Sequence, residues 1–162
     1  MRLSMQGIIL AGLLMGTAVV AQAAGNSIDG KHFGDWGGVC DEDACYVQQV
    51  VSKDEQHPLM VTAIGYPKGK PMPAVLIHLP KGIQIKEGVH LQIDENPTIK
   101  FQGKCGQDNC VAGFIMDEVM QKQFTTGKRA LVAFTPAPKQ KAVVLPMSLK
   151  GFVQALKNLP TQ

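Results

Sequence analysis

Two ten-residue blocks, 65 positions apart, constrain this chain more than anything else in it. Trp36-Gly37-Gly38-Val39-Cys40-Asp41-Glu42-Asp43-Ala44-Cys45 and Phe101-Gln102-Gly103-Lys104-Cys105-Gly106-Gln107-Asp108-Asn109-Cys110 share an aromatic residue, a glycine, two cysteines and an aspartate without a gap. Both blocks run on into strand-like sequence, over residues 46–51 and 111–116. A second echo, with one insertion, relates residues 74–82 to 142–151. The repetition predicts two related halves that close on each other.

The amino terminus reads as a cleaved secretory signal peptide over residues 1–23. Arg2 precedes an apolar run over residues 8–20, and Ala21-Gln22-Ala23 places small residues three and one positions before a cut. A transmembrane helix needs about 20 apolar residues. This run is shorter, contains glycine and leads into a processing site, so the mature form is expected to carry no transmembrane segment. A flexible leader over 24–32 and one domain over 33–160 should follow. A mature chain of about 139 residues can bury roughly two thirds of its unfolded surface, enough for a real core. Without Arg2 its charge is 15 Lys and Arg against 13 Asp and Glu. So mild and scattered a balance makes no case for nucleic acid or an acidic membrane face.

Four cysteines in an exported chain imply disulfides rather than reactive thiols. Four residues between partners suit a hairpin loop, and cysteines facing each other across it reach bonding distance. Local geometry therefore favours Cys40–Cys45 and Cys105–Cys110. A crossed pairing would close longer loops, worth about 4 kcal/mol each against about 2 for a local bridge. A four-cysteine zinc site is the functional alternative, disfavoured by an oxidising compartment. There is no C-x2-C of a thioredoxin-like oxidoreductase.

Along the chain, short apolar segments are separated by Gly and Pro turns, the pattern of an all-β, mainly antiparallel sandwich or small barrel. Trp36, the one Trp, reads as a core residue packed against a disulfide. Strands are expected over 46–51, 59–66, 74–79, 130–135 and 142–147. Ile83, Ile85, Val89, Leu91 and Ile93 alternate around Glu87-Gly88 as a hairpin would. Asp117 can cap a short helix with Val119, Met120 and Phe124 on its apolar side, stopped by Gly127. Ser148 can cap a C-terminal helix facing the core with Leu149, Phe152, Val153, Leu156 and Leu159.

Phe33-x-Asp35-Trp36, Cys40 and Cys45 followed by Gln48-Gln49, Leu79-Pro80-Lys81-Gly82, Phe101-x3-Cys105-x4-Cys110, Gly127 and Leu149-Lys150-Gly151-Phe152-x2-Ala155-Leu156 stand in order through nearly all of the mature chain. Together they resemble the invasion-associated locus B family of exported bacterial proteins. The resemblance implies a β-rich domain in the Gram-negative periplasm, or one that is outer-membrane-associated or secreted, with a link to host-cell invasion in some members. It implies no reaction, cofactor or catalytic residue. Asn109 stands where the family pattern commonly has glycine; Asn also tolerates left-handed backbone geometry.

The chemistry-bearing residues do not assemble into a motif. His32 lies in the leader, His57 before a proline, His78 in an apolar strand and His90 in the alternating segment. His78 and His90 would meet only if their strands paired, and with an acidic loop they define the enzymatic alternative, a small metal-dependent hydrolase. Asp41-Glu42-Asp43 resembles the start of a calcium loop but lacks its Gly and terminal Glu. Ser148-Leu149-Lys150 lacks S-x-x-K spacing, and Thr126-Gly127-Lys128 lacks the rest of a phosphate loop. The favoured expectation is a non-enzymatic interaction protein without a cofactor, whose partner is an envelope or host-surface protein, since loops on a rigid scaffold are where recognition resides.

Overall fold

The computed structural model describes residues 27–42, 44–54 and 56–161; the expected signal peptide lies outside them. Among these residues, the first sheet holds β1 (His32–Phe33), β2 (Trp36–Cys40), β3 (Cys45–Ser52), β4 (Pro58–Gly65), β5 (Ala74–Pro80), β8 (Gly103–Cys105) and β9 (Asn109–Ile115). Their order is β1-β2-β3-β4-β5-β9-β8. The second sheet has the order β11-β10-β6-β7, from β6 (Val89–Ile93), β7 (Ile99–Phe101), β10 (Ala130–Phe134) and β11 (Val143–Met147). Every pairing is antiparallel. Two helices, α1 (Glu118–Thr126) and α2 (Phe152–Asn158), complete the fold.

Alternation explains the core. Val47, Ile64, Val75 and Ile77 of the large sheet, and Val89, Leu91 and Val132 of the small one, are buried, each worth about 1.5–3 kcal/mol. The helices add Phe124 and Phe152, whose ring centroids lie 5.3 Å apart, and Phe152 is 5.4 Å from Trp36. Trp36 is thus a core residue, with a helix ring as its aromatic partner.

The repeated cysteine blocks fold as two copies of one hairpin. Gly38 faces Val47 and Cys40 faces Cys45; Gly103 faces Ala112 and Cys105 faces Cys110. Next to each cysteine pair the turn is closed by a backbone bond, Asp41 to Ala44 and Gly106 to Asn109. The chain crosses twice at close range there, with Cα separations of 4.1 and 3.8 Å, and both pairs are disulfide-bonded. Loop entropy puts each bridge at about 2 kcal/mol. The hairpins flank the central β4–β5 pair, and strand direction puts their tips at opposite ends of the sheet. This separates the bridges and dismantles the shared zinc site.

The expectation of two closing halves holds only for these hairpins. The second echo falls on β5, central in the large sheet, and β11, an edge of the small one, because β5 takes its second partner from the distant β9.

Four local expectations also change. Residues 28–31 are no loose leader: Ile28 is buried against Gly38, Gly30 donates to Gly38 O and Gly38 to Lys31 O, and the Asp29 carboxylate accepts from Cys40 N at 3.0 Å. A Cβ on Gly38 would sit 2.1 Å from Ile28 O, so the glycine makes this cover fit. Residues 83–93 form no hairpin. Ile85–Glu87 is a 3₁₀ turn, and β6 pairs with β7 and β10 instead. Asp117 caps α1, accepting from Met120 N at 2.8 Å, but Val119 is 64 % exposed because the helix buries only its Met120 and Phe124 side. Ser148 does not cap α2. Left-handed Gly151 takes that place, and Val153 points outward.

Candidate functional site

Successive residues of a strand face opposite ways, and Gln48-Gln49 divides the two polar arrangements of the large sheet between them. Gln49 points inward and is buried. Its Oε1 accepts from Ser148 N at 2.7 Å, while its Nε2 donates to Ser148 O at 3.1 Å and Asp35 O at 3.4 Å. Trp36 Nε1 donates to the same Ser148 carbonyl at 3.1 Å, and Ser148 Oγ donates to Asp35 Oδ2 at 2.7 Å. Asp35 N donates to Lys150 O, and Lys150 N to Ser148 Oγ. A Cβ on Gly151 would stand 2.0 Å from Phe33 O, so the two turns touch backbone to backbone. Asp35, Trp36, Gln49, Ser148 and Gly151 therefore form a clasp that ties the start of α2 to the large sheet. Ser148 has an aspartate here but no histidine base, so the clasp positions structure and lacks the parts of a nucleophile.

The histidines do not converge. His78 lies on the outer side of the large sheet, between buried Ile77 and Leu79, and His90 on the outer side of the small sheet, between buried Val89 and Leu91. The core separates them, because β5 and β6 belong to different sheets. This overturns the His78/His90 centre on which the hydrolase alternative rested. His57 bonds Asp54 at 2.6 Å in an exposed loop, and His32 sits on β1. Asp41 Oδ1 accepts from Ala44 N at 2.7 Å, which gives it a role in the hairpin turn; Asp43 is outside the described residues. No group of three or more His, Cys, Asp and Glu side chains placed to hold a metal occurs among the described residues.

Gln48 points the other way, onto a surface of different character. An antiparallel sheet with one wet face alternates apolar and polar residues. Here the outward positions carry Val39, Tyr46, Val50, Val61, Leu76, Val111 and Ile115, and the seven strands contain no Asp or Glu and one Lys, Lys104. Leu76, Ile115 and Val50 are 44, 49 and 50 % exposed. A trench of about 570 Å³ runs along β4. Its floor is Val61, Ala63 and Gly65. Tyr46 and Gln48 of β3 form one wall, Leu76 and His78 of β5 the other. The register sets Ala63 between Gln48 and Leu76, and Gly65 between Tyr46 and Ala74. Tyr66-Pro67 close one end and Asn109 the other, where Asn109 Nδ2 and His78 Nδ1 are 3.3 Å apart.

Of these residues only His78 stood out in sequence for its chemistry; Gln48 and Asn109 entered through the family resemblance alone. The signal for the others was the apolar run over 74–79, interrupted only by His78, and its neighbour over 59–65, whose outward positions Val61, Ala63 and Gly65 lack the polar residues of a wet face.

Fold and site together define an antiparallel β-sandwich clipped by two hairpin disulfides, with an apolar external sheet face. The sequence profile described as Invasion associated locus B (IalB) protein matches residues 36–160. The chain belongs to that family. The crystal structure of invasion associated protein b from Bartonella henselae is similar to it, with a TM-score of 0.69 and 21 % identity over 78 % of this chain and 92 % of that one, a likeness of fold. No curated protein sequence matches the chain significantly.

Proposed function

We propose that this protein is exported to the periplasm or envelope and works there by contact rather than catalysis, binding another envelope component or a host-surface protein. The observation that carries this reading is the apolar outer face of the large sheet, whose strands hold no Asp or Glu and one Lys, Lys104. Contiguous exposed apolar surface on a soluble domain marks an interaction site, and the two bridged hairpins hold this one rigid before any partner arrives. Support for export comes from the apolar leader with its Ala21-Gln22-Ala23 cut and from cysteines paired in hairpins, which persist in oxidising compartments. The name of the Bartonella relative makes invasion of a host cell one setting for such contact.

The test is made in cells. A photo-crosslinking amino acid replaces Leu76 on the large sheet or, as a control, Val144, which is exposed on the small sheet. Adducts at Leu76 and none at Val144 are expected. Intact mass without reductant should show a chain starting at Ala24 with all four cysteines oxidised. A full-length reduced protein in the cytosol, or no adduct at Leu76 at native expression, would overturn the reading.

A further inference from the structure

We infer that the trench over β4 holds one short, extended, uncharged apolar segment of a partner protein. This rests on the contact function proposed above and names its occupant. From Val61 to Gly65 the floor advances four strand steps, about 13 Å at roughly 3.3 Å each, and the walls on β3 and β5 stand two strand spacings apart, about 10 Å. That is the room taken by a single extended chain of about four residues. The volume of about 570 Å³ falls within the usual range for a ligand site.

The lining chooses among occupants. Both backbone edges of β4 are already paired, with β3 and β5, so the segment cannot add a strand and must be held by side chains. Gln48, Asn109 and His78 offer hydrogen-bond donors and acceptors, which match the amides of a peptide and have no counterpart on a hydrocarbon chain. An anionic amphiphile would need a cationic end. Yet no Lys or Arg lines the trench, and Asp108 adjoins Asn109 in the chain at the far end. A second copy of the chain is a poor fit as well. The four-strand patch β3-β4-β5-β9, with strands of seven or eight residues, measures about 19 by 23 Å, little more than half of the roughly 800 Å² per partner found in stable complexes. In an extended ligand alternate residues face the same way, so the bound segment should carry Val- or Leu-sized side chains two positions apart, seated over Ala63 and Gly65.

Random heptapeptides displayed on phage are panned on the disulfide-intact mature domain, and the enriched sequences are titrated as blocked synthetic peptides against the isotope-labelled protein. Enrichment of uncharged peptides with alternating apolar residues is expected, with amide shifts centred on Tyr46, Ala63 and Leu76. Leu76→Lys should weaken binding by about tenfold or more, which is 1.4 kcal/mol, and Ala63→Arg should block the floor. Val144→Lys should change nothing. Thermal unfolding checks that each variant is folded, and Leu76 is exposed enough for its variant to carry the test if Ala63→Arg misfolds. No enrichment, equal binding by Leu76→Lys, the same shifts from dodecanoate at lower concentration, or self-association abolished by Leu76→Lys would each overturn the inference. Adducts at Leu76 in cells without peptide binding would leave the contact function standing and remove this occupant.

Discussion

The clasp around Gln49 can be broken by one substitution, Gln49→Ala. Truncation removes the acceptor of Ser148 N at 2.7 Å and leaves a part-buried backbone N–H without a protein partner, a loss of about 1–3 kcal/mol. The Ser148 carbonyl keeps its bond from Trp36 Nε1, so the loss of the Nε2 donor adds only about 0.5–1 kcal/mol. The small void beside Trp36 adds a similar amount. The sum is about 3 kcal/mol, or roughly 10 °C in Tm for a domain of this size. Urea unfolding of the oxidised protein should show a lower midpoint with an unchanged slope, since the same surface is exposed on unfolding. Gln48→Ala, one residue away on the wet side, should stay within about 0.5 kcal/mol of the parent. Gln49→Glu is the sharper variant: it keeps an acceptor for Ser148 N but aims a second oxygen at the carbonyls of Ser148 and Asp35, so it should be no more stable than Gln49→Ala. A Gln49→Ala protein within about 1 kcal/mol of the parent, or a Gln49→Glu protein equal to it, would refute the hydrogen-bond reasoning.

Two further stability predictions follow from single atoms. Gly151→Ala should cost about 3 kcal/mol or more, because its φ of +84° is left-handed and its Cβ would lie 2.0 Å from Phe33 O; loss of soluble oxidised protein or a Tm depressed by about 10 °C is the expected result. Thr62→Val should be neutral or stabilising by up to about 1 kcal/mol, since Thr62 Oγ1 is fully buried without a hydrogen-bond partner; a destabilisation beyond about 1 kcal/mol in urea unfolding would show that the hydroxyl is used.

Local chemistry made the individual elements legible and left their assembly open. Residues 46–51 and 74–79 announce strands by composition, Asp117 announces a cap, and the cysteine spacing fits its hairpins because each of these depends on near neighbours. Which strand lies beside β5 depends on residues some 35 positions downstream, and no periodicity within β5 encodes β9. The misread C-terminal helix is similar: Ser148 has the chemistry of a cap, but Asp35, 113 positions away, claims its hydroxyl, and the helix starts from Gly151 instead. Glutamines 48 and 49 show the same limit at the site. Strand alternation says that they face opposite ways, while only the two-sheet packing says which joins the clasp and which the trench.

An apolar sheet face in water invites pairing with other chains, yet the arrangement of this sheet restricts how that can happen. Open strand edges are the usual route to uncontrolled association. Here β1 has two residues and β8 three, and β8 ends in a bridge, so neither outer strand offers a long run of free amides. The apolar residues are placed instead over β4 and β5, whose backbone groups are paired on both sides. Under the proposed contact function a partner at this face would meet side chains rather than free backbone groups, where a bare edge would accept almost any extended chain. The bridged hairpins stand on either side of the β4–β5 pair and fix the register of the strands that wall the trench, which makes the clips and the trench two parts of one arrangement.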